Sequence, residues 1–130
     1  MLEPSIRELA TTGTNFATVC VTLPSGEIAS HVMWIDADDD HIVFNTETHR
    51  AKFRALEQNP RVTVTIIKSD NPYAYAEVRG RVAETVTGDE ARAHIDVLSQ
   101  RYFGKPYDNP ITSERVIVKV APERQRAVGL

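Results

Sequence analysis

From Phe16 to Leu23 apolar and polar positions alternate, with Ala17, Val19, Val21 and Leu23 on one side and Thr18, Cys20 and Thr22 on the other. This two-residue period predicts a half-buried strand. Pro24-Ser25-Gly26-Glu27 turns the chain, and Ile28 to Ile35 returns as a second strand. His41 to Asn45 gives a third, and Val62, Val64 and Ile66, alternating with Thr63 and Thr65, give a fourth. The longest, Tyr73 to Glu84, has an inner face of Ala74, Ala76, Val78, Gly80 and Val82 and an outer face of Tyr75, Glu77, Arg79 and Arg81. Arg115 to Val120 is the last, after which Pro122-Glu123 is expected to turn into a short tail. Helical spacing replaces this pattern in three places. Ser5 to Thr12 carries Ile6, Leu9 and Ala10 on one face, and Gly88 to Tyr102 repeats Ala91, Ile95, Leu98 and Tyr102. Between them lies a short helix capped by Thr48 and closed at Asn59-Pro60.

Six strands in succession, interrupted by helices, predict an α+β, mainly β domain with antiparallel pairing, curled into a closed or nearly closed barrel. Strand Ile28 to Ile35 is apolar on both faces, Val32 and Trp34 on one and Met33 and Ile35 on the other. Either another subunit or a packed helix is expected to cover the second face.

The middle helix has its charges reversed. A helix start carries partial positive charge and free N–H groups, so acids normally gather there. Here Arg50, Lys52 and Arg54 crowd the start while Glu57 sits near the end. Two readings fit this segment alone: a solvated basic turn, or a site completed by an external anion.

Composition narrows the partners. At 130 residues, 42% apolar and 25% charged, the chain is one ordinary globular domain spanning 1–130. A net charge of −3 gives no reason to expect nucleic acid or an anionic membrane as partner. There is no signal-peptide pattern and no apolar run of membrane-spanning length. The single cysteine, Cys20, excludes an internal disulfide and is expected to be a small buried residue of a cytoplasmic protein. Asp36-Ala37-Asp38-Asp39-Asp40 lacks the glycine and distal glutamate of a calcium loop and reads as an exposed turn. His41, His49 and His94 have no metal-ligand spacing.

The order of segments then matters: Ser30-His31-Val32, His41-Ile42-Val43-Phe44-Asn45-Thr46, the basic helix Arg50-Ala51-Lys52-Phe53-Arg54, Asn59-Pro60-Arg61-Val62, Glu77-Val78-Arg79-Gly80-Arg81-Val82 and Arg115-Val116-Ile117-Val118. From Asn15 to Val128 this order resembles the flavin- and deazaflavin-binding split-barrel superfamily, the pyridoxamine 5'-phosphate oxidase-like class. The Arg50-Ala51-Lys52 spacing and short length resemble its coenzyme F420-dependent branch. The resemblance implies a split β-barrel of six or more antiparallel, Greek-key-like strands with two to three short helices. It also implies a homodimer with sites at the interface, and an oxidoreductase exchanging hydride with a small unsaturated or heterocyclic molecule. FMN is the alternative cofactor, and a non-catalytic carrier the alternative role. True pyridoxamine phosphate oxidases end in a Trp- and Arg-containing motif, whereas the only tryptophan here is Trp34.

Within that resemblance Arg50 and Lys52 hold the cofactor's phosphate-bearing tail from two sides, since residues two apart do not share a helix face. Arg54 is a third contact or a solvated cation, and His49 adds to the site only when protonated. Thr46 and Thr48 are candidate phosphate hydrogen-bond donors. His31, Val32 and Met33 would lie under the ring, with His31 a donor to a ring carbonyl. Tyr73, Tyr75 and the Gly104–Pro110 loop are the substrate-side candidates. Catalytic residues are not assigned, because hydride transfer asks the protein for position and dryness more than for side-chain chemistry.

Overall fold

The computed structural model describes residues 1–130 and orders three helices and seven strands: α1 (Pro4–Thr11), β1 (Phe16–Thr22), β2 (Ile28–Met33), β3 (Asp36–Ala37), β4 (Ile42–Glu47), α2 (Ala51–Gln58), β5 (Arg61–Lys68), β6 (Asn71–Val86), α3 (Asp89–Phe103) and β7 (Arg115–Val128). All strand pairs are antiparallel, in the order β2-β1-β5-β6-β7-β4-β3. Two hairpins thus flank a β5-β6-β7 centre.

The two edge strands are consecutive in sequence, joined only by Trp34 and Ile35. At about 4.8 Å per strand a flat seven-stranded sheet would put its edges nearly 30 Å apart. From Met33 to Asp36 the chain spans at most about 11 Å. The sheet must therefore curl until its edges meet, and Trp34-Ile35 crosses the seam. This is the split barrel expected from the sequence, with one strand more than the six read there.

Inside the curl Val19, Val64, Ile66, Val78, Ile42, Phe44, Val116 and Val118 are buried in one cluster. Leu2 and the α1 residues Ile6, Leu9 and Ala10 join it. Arg101 of α3 holds α1 in place, donating to the last-turn carbonyls of Ala10 (3.1 Å) and Thr11 (2.9 Å) and to Ile35 O beside the seam. Carbonyls at a helix C-terminus lack intrahelical partners, so the cation satisfies both charge and geometry there.

Several expectations are corrected. Pro122-Glu123 does not end the last strand: β7 runs on to Val128 against β6, with Gln125 opposite Val78 and Val128 opposite Tyr75. The pairing register shifts at Arg79/Gly80, where Pro122 lies opposite Gly80. Such an irregularity is where a sheet tolerates proline. A Cβ on Gly80 would stand 2.1 Å from Ala121 O, so no side chain fits where these strands approach. Thr48 does not cap α2. The N-cap is Arg50, without a side-chain cap bond, because β4 continues to Glu47 and the N–H of Thr48 is taken by Glu114 O at 2.9 Å. Strand β2 stops at Met33 so that the chain can cross the seam, and the acidic turn begins as β3. Cys20 is only half-buried. On the second apolar face of Ile28 to Ile35 a helix covers only Trp34, which packs on Tyr102 and Phe103 of α3, while Ile28 and Val32 are each 72% exposed. No helix is long and apolar enough to cross a membrane.

Candidate functional site

Strand β3 pairs only with Ile42 and Val43 of β4. Where the chain leaves that edge at Trp34 to reach β2, a wedge opens beside Asn45 and Thr46. It forms a cleft of about 350 Å³ lined by Phe16, Val32, Met33, Trp34, Asn45, Thr46, Arg50, Lys52, Ile95, Leu98, Tyr107, Asn109 and Arg115. The site thus occupies the seam of the split barrel.

One wall is aromatic. Trp34 stacks on Tyr102 at 5.3 Å and 8°, and meets Phe103 and Tyr107 edge-on at 5.1 and 6.4 Å. Tyr102 is fixed by accepting the N–H of Ile35 and donating to Asn15 O. Fixed stacks of this kind keep a flat apolar surface beside the cleft.

The other wall is cationic. Arg50 and Lys52 come from the start of α2, where neither Ala51 nor Lys52 has a partner for its backbone N–H. Arg115, only 8% exposed, comes from the start of β7. Its Nε donates to Asn45 Oδ1 at 2.8 Å, and its guanidinium lies 5.2 Å from the Tyr107 ring centre. Burial, then the charges of Arg50 and Arg115, pull the Lys52 ammonium below the ordinary lysine value. Desolvation, followed by Lys52 and Arg50, does the same to the imidazole of His31. His31 is exposed, and the neighbouring cations disfavour its protonated form.

Glu47 stands behind the cations, 2% exposed. Its Oε1 accepts the N–H groups of Thr112 and Ser113 at 2.8 and 2.9 Å. Its Oε2 is 3.7 Å from Arg115 Nη1 and 4.0 Å from Arg50 Nη2, beyond hydrogen-bond range of both. Burial alone would raise its pKa, but the N–H groups of Ser113 and Thr112 and the charges of Arg115 and His49 hold it below the usual glutamate value. The carboxylate steadies the cations without closing on either.

The structure thus gathers Val32, Met33, Thr46, Arg50 and Lys52 in one cleft, with His31 within the field of the two α2 cations. Thr48 and the exposed Arg54 do not line it, and neither do Tyr73 and Tyr75, which lie elsewhere on β6. From the Gly104–Pro110 loop, Tyr107 and Asn109 do. His49 is bonded to Ser113 Oγ at 2.7 Å, outside the lining. Sequence reasoning missed Asn45, Arg115 and the aromatic wall. The available signal was a polar residue at the end of an apolar run, Asn45 after Ile42-Val43-Phe44 and Arg115 before Val116-Ile117-Val118.

A family model described as pyridoxamine 5'-phosphate oxidase matches residues 2–129. Among solved structures the chain is similar to an F420 reductase, at 30% identity over 97% of this chain and 98% of that one, with a TM-score of 0.80. It shares the fold of a conserved hypothetical protein of Mycobacterium tuberculosis (24% identity, 98% and 84% covered, TM-score 0.74). It also shares the fold of General Stress Protein 26 of Bacillus anthracis (18% identity, 95% and 88% covered, TM-score 0.68). No curated protein sequence matches the chain.

Proposed function

We propose that this chain, which belongs to the pyridoxamine 5'-phosphate oxidase family, binds coenzyme F420 in the seam cleft and exchanges hydride with a small unsaturated or heterocyclic organic molecule. Its fold is a flavin-binding split barrel, and the wider superfamily includes oxidoreductases. The finer assignment is carried by one observation. Three cations, Arg50, Lys52 and Arg115, line one cleft with unpartnered helix N–H groups and no carboxylate within hydrogen-bond range. Crowded cations, a lysine whose pKa is lowered and free helix N–H groups together suit an anionic ligand.

The residues fit such a group. Arg50, Lys52 and Arg115, with the N–H groups of Ala51 and Lys52, would hold an anionic tail, and Thr46 would add a hydroxyl. Trp34, Tyr107, Phe16, Val32 and Met33 would face a flat ring and exclude water from it. F420 supplies a two-electron hydride couple when bound. Its tail carries several anionic groups, and three cations make fuller use of these than of the single phosphate of FMN. The similarity to an F420 reductase supports the same choice.

The cleft is open on the side where Phe16, Val32 and Phe103 are exposed. In this proposal a second copy of the chain covers that rim, giving a homodimer with two sites. Sedimentation should then show a two-chain particle, and a monomer at working concentration rules this part out. The hydride-transfer assignment is tested by mixing reduced F420 and enzyme with a panel of quinones, unsaturated lactones, tetrapyrroles and nitroaromatics. At least one acceptor should oxidise the cofactor much faster than it does without enzyme. Tight binding with no such acceptor would replace the oxidoreductase reading with a carrier.

A further inference from the structure

Behind the cationic wall runs a second polar chain that the proposed function does not use. Asp36 Oδ2 lies 2.9 Å from His94 Nε2. Asn45 Nδ2 lies 3.0 Å from both His94 Nδ1 and Ala91 O. Arg115 Nε donates to Asn45 Oδ1 at 2.8 Å. The direction of every bond follows from the two ends. A guanidinium N–H can only donate and a backbone carbonyl can only accept, so the Asn45 oxygen faces Arg115 and its amide group faces Ala91 and His94. His94 Nδ1 must then be the bare nitrogen, and Nε2 carries the proton given to Asp36. The dipoles run head to tail from carboxylate to guanidinium through two neutral groups, an arrangement in which each bond strengthens the next.

We infer that His94 is a positioning residue for the cleft: acting through Asn45, it fixes the guanidinium of Arg115 at the cleft wall. The direct hydrogen-bond partner of the Arg115 Nε is a neutral amide, Asp36 is separated from it by His94 and Asn45, and Glu47 balances part of the guanidinium charge from 3.7 Å without a hydrogen bond. His94 does not line the cleft, so it acts on a ligand only through its neighbours. Asp36 has Arg101 Nη1 at 3.8 Å as a second partner, which anchors the far end of the chain to α3. The ligand-binding part of this inference rests on the anion-site reading above.

Two variants separate positioning from packing. His94→Asn keeps a side-chain oxygen for the Asn45 amide, and His94→Leu keeps only bulk. His94→Leu should weaken F420 binding by about tenfold, the effect of one charge-assisted hydrogen bond, while His94→Asn stays within about threefold. A readout without ligand accompanies this. In ¹⁵N NMR, His94 should show the Nε2–H tautomer, and the Arg115 Nε–H signal should persist in wild type and His94→Asn and exchange away in His94→Leu. Leu and Asn variants that behave alike in both measurements, or a proton on Nδ1, would overturn the inference. Wild-type protein that binds no anionic cofactor yet keeps the Arg115 pattern would overturn the functional reading and leave the positioning chain standing.

Discussion

Lys52→Met should weaken F420 binding by about 10- to 100-fold, the scale of a charge-assisted hydrogen bond in a partly desolvated site. The same variant should leave the unliganded protein as stable as wild type or more so. The two effects have opposite signs for one reason. Lys52 sits among like charges, with its pKa lowered by burial first and then by Arg50 and Arg115. A lysine whose folded pKa lies below its unfolded value is held charged at a cost to folding. Between the lowered value and the ordinary 10.5, wild-type stability should therefore rise with pH, and this rise should vanish in Lys52→Met. An anion reverses the balance, so binding at alkaline pH should take up protons. Arg54→Ala is the control: it is exposed, does not line the cleft, and should change affinity less than twofold by the rule for surface charges. Calorimetric titration and urea unfolding of the same samples measure both sides. A Lys52→Met protein with unchanged affinity would remove the α2 start from the site.

The second large effect concerns stability. Glu47→Ala removes the acceptor of two backbone N–H groups and the carboxylate nearest to Arg115, which is itself buried. Breaking such a buried arrangement costs about 3–5 kcal/mol, a large part of a stability of about 5–15 kcal/mol. Glu47→Ala should thus unfold at much lower urea and release the 110–114 segment that holds Tyr107 and Arg115 in register. The wild-type acid limb follows from the lowered Glu47 pKa. Its stabilising contribution is complete above the unfolded value of 4.5 and is lost as pH falls through the folded one. Glu47→Gln should flatten that limb. Equal urea midpoints for wild type and Glu47→Ala would show that Glu47 holds nothing.

Much of this fold could be read from the two-residue period alone. Ala17-Val19-Val21, Val62-Val64-Ile66 and Ala74-Ala76-Val78 all point inward as their alternation requires. Alternation fails where pairing rather than burial sets the structure. Beyond Val120 the chain is polar and contains Pro122, yet it remains in β7 because β6 supplies partners as far as Tyr75. Thr48 has a good capping side chain, but the helix begins only at Ala51, so the cap position falls on Arg50, two residues beyond it.

The basic helix start was legible because its charges contradict the helix dipole, an oddity visible without coordinates. Arg115 and Asn45 were not, since their meaning depends on two strands 70 residues apart lying side by side, Asn45 against Ile117. The aromatic wall was hidden for the same reason: Trp34, Tyr102 and Tyr107 meet only because the seam brings β2 to α3.

In the proposed function the seam cleft takes a multiply anionic deazaflavin. Trp34 is the only tryptophan and lines that cleft, so its fluorescence reports on it directly. Titrating the purified protein with F420 and FMN side by side is the most direct measurement. F420 should quench the Trp34 fluorescence with an affinity on the order of micromolar or tighter that weakens as salt rises, and FMN should bind more weakly. Saturable quenching by FMN alone, or by neither, would contradict the proposed function.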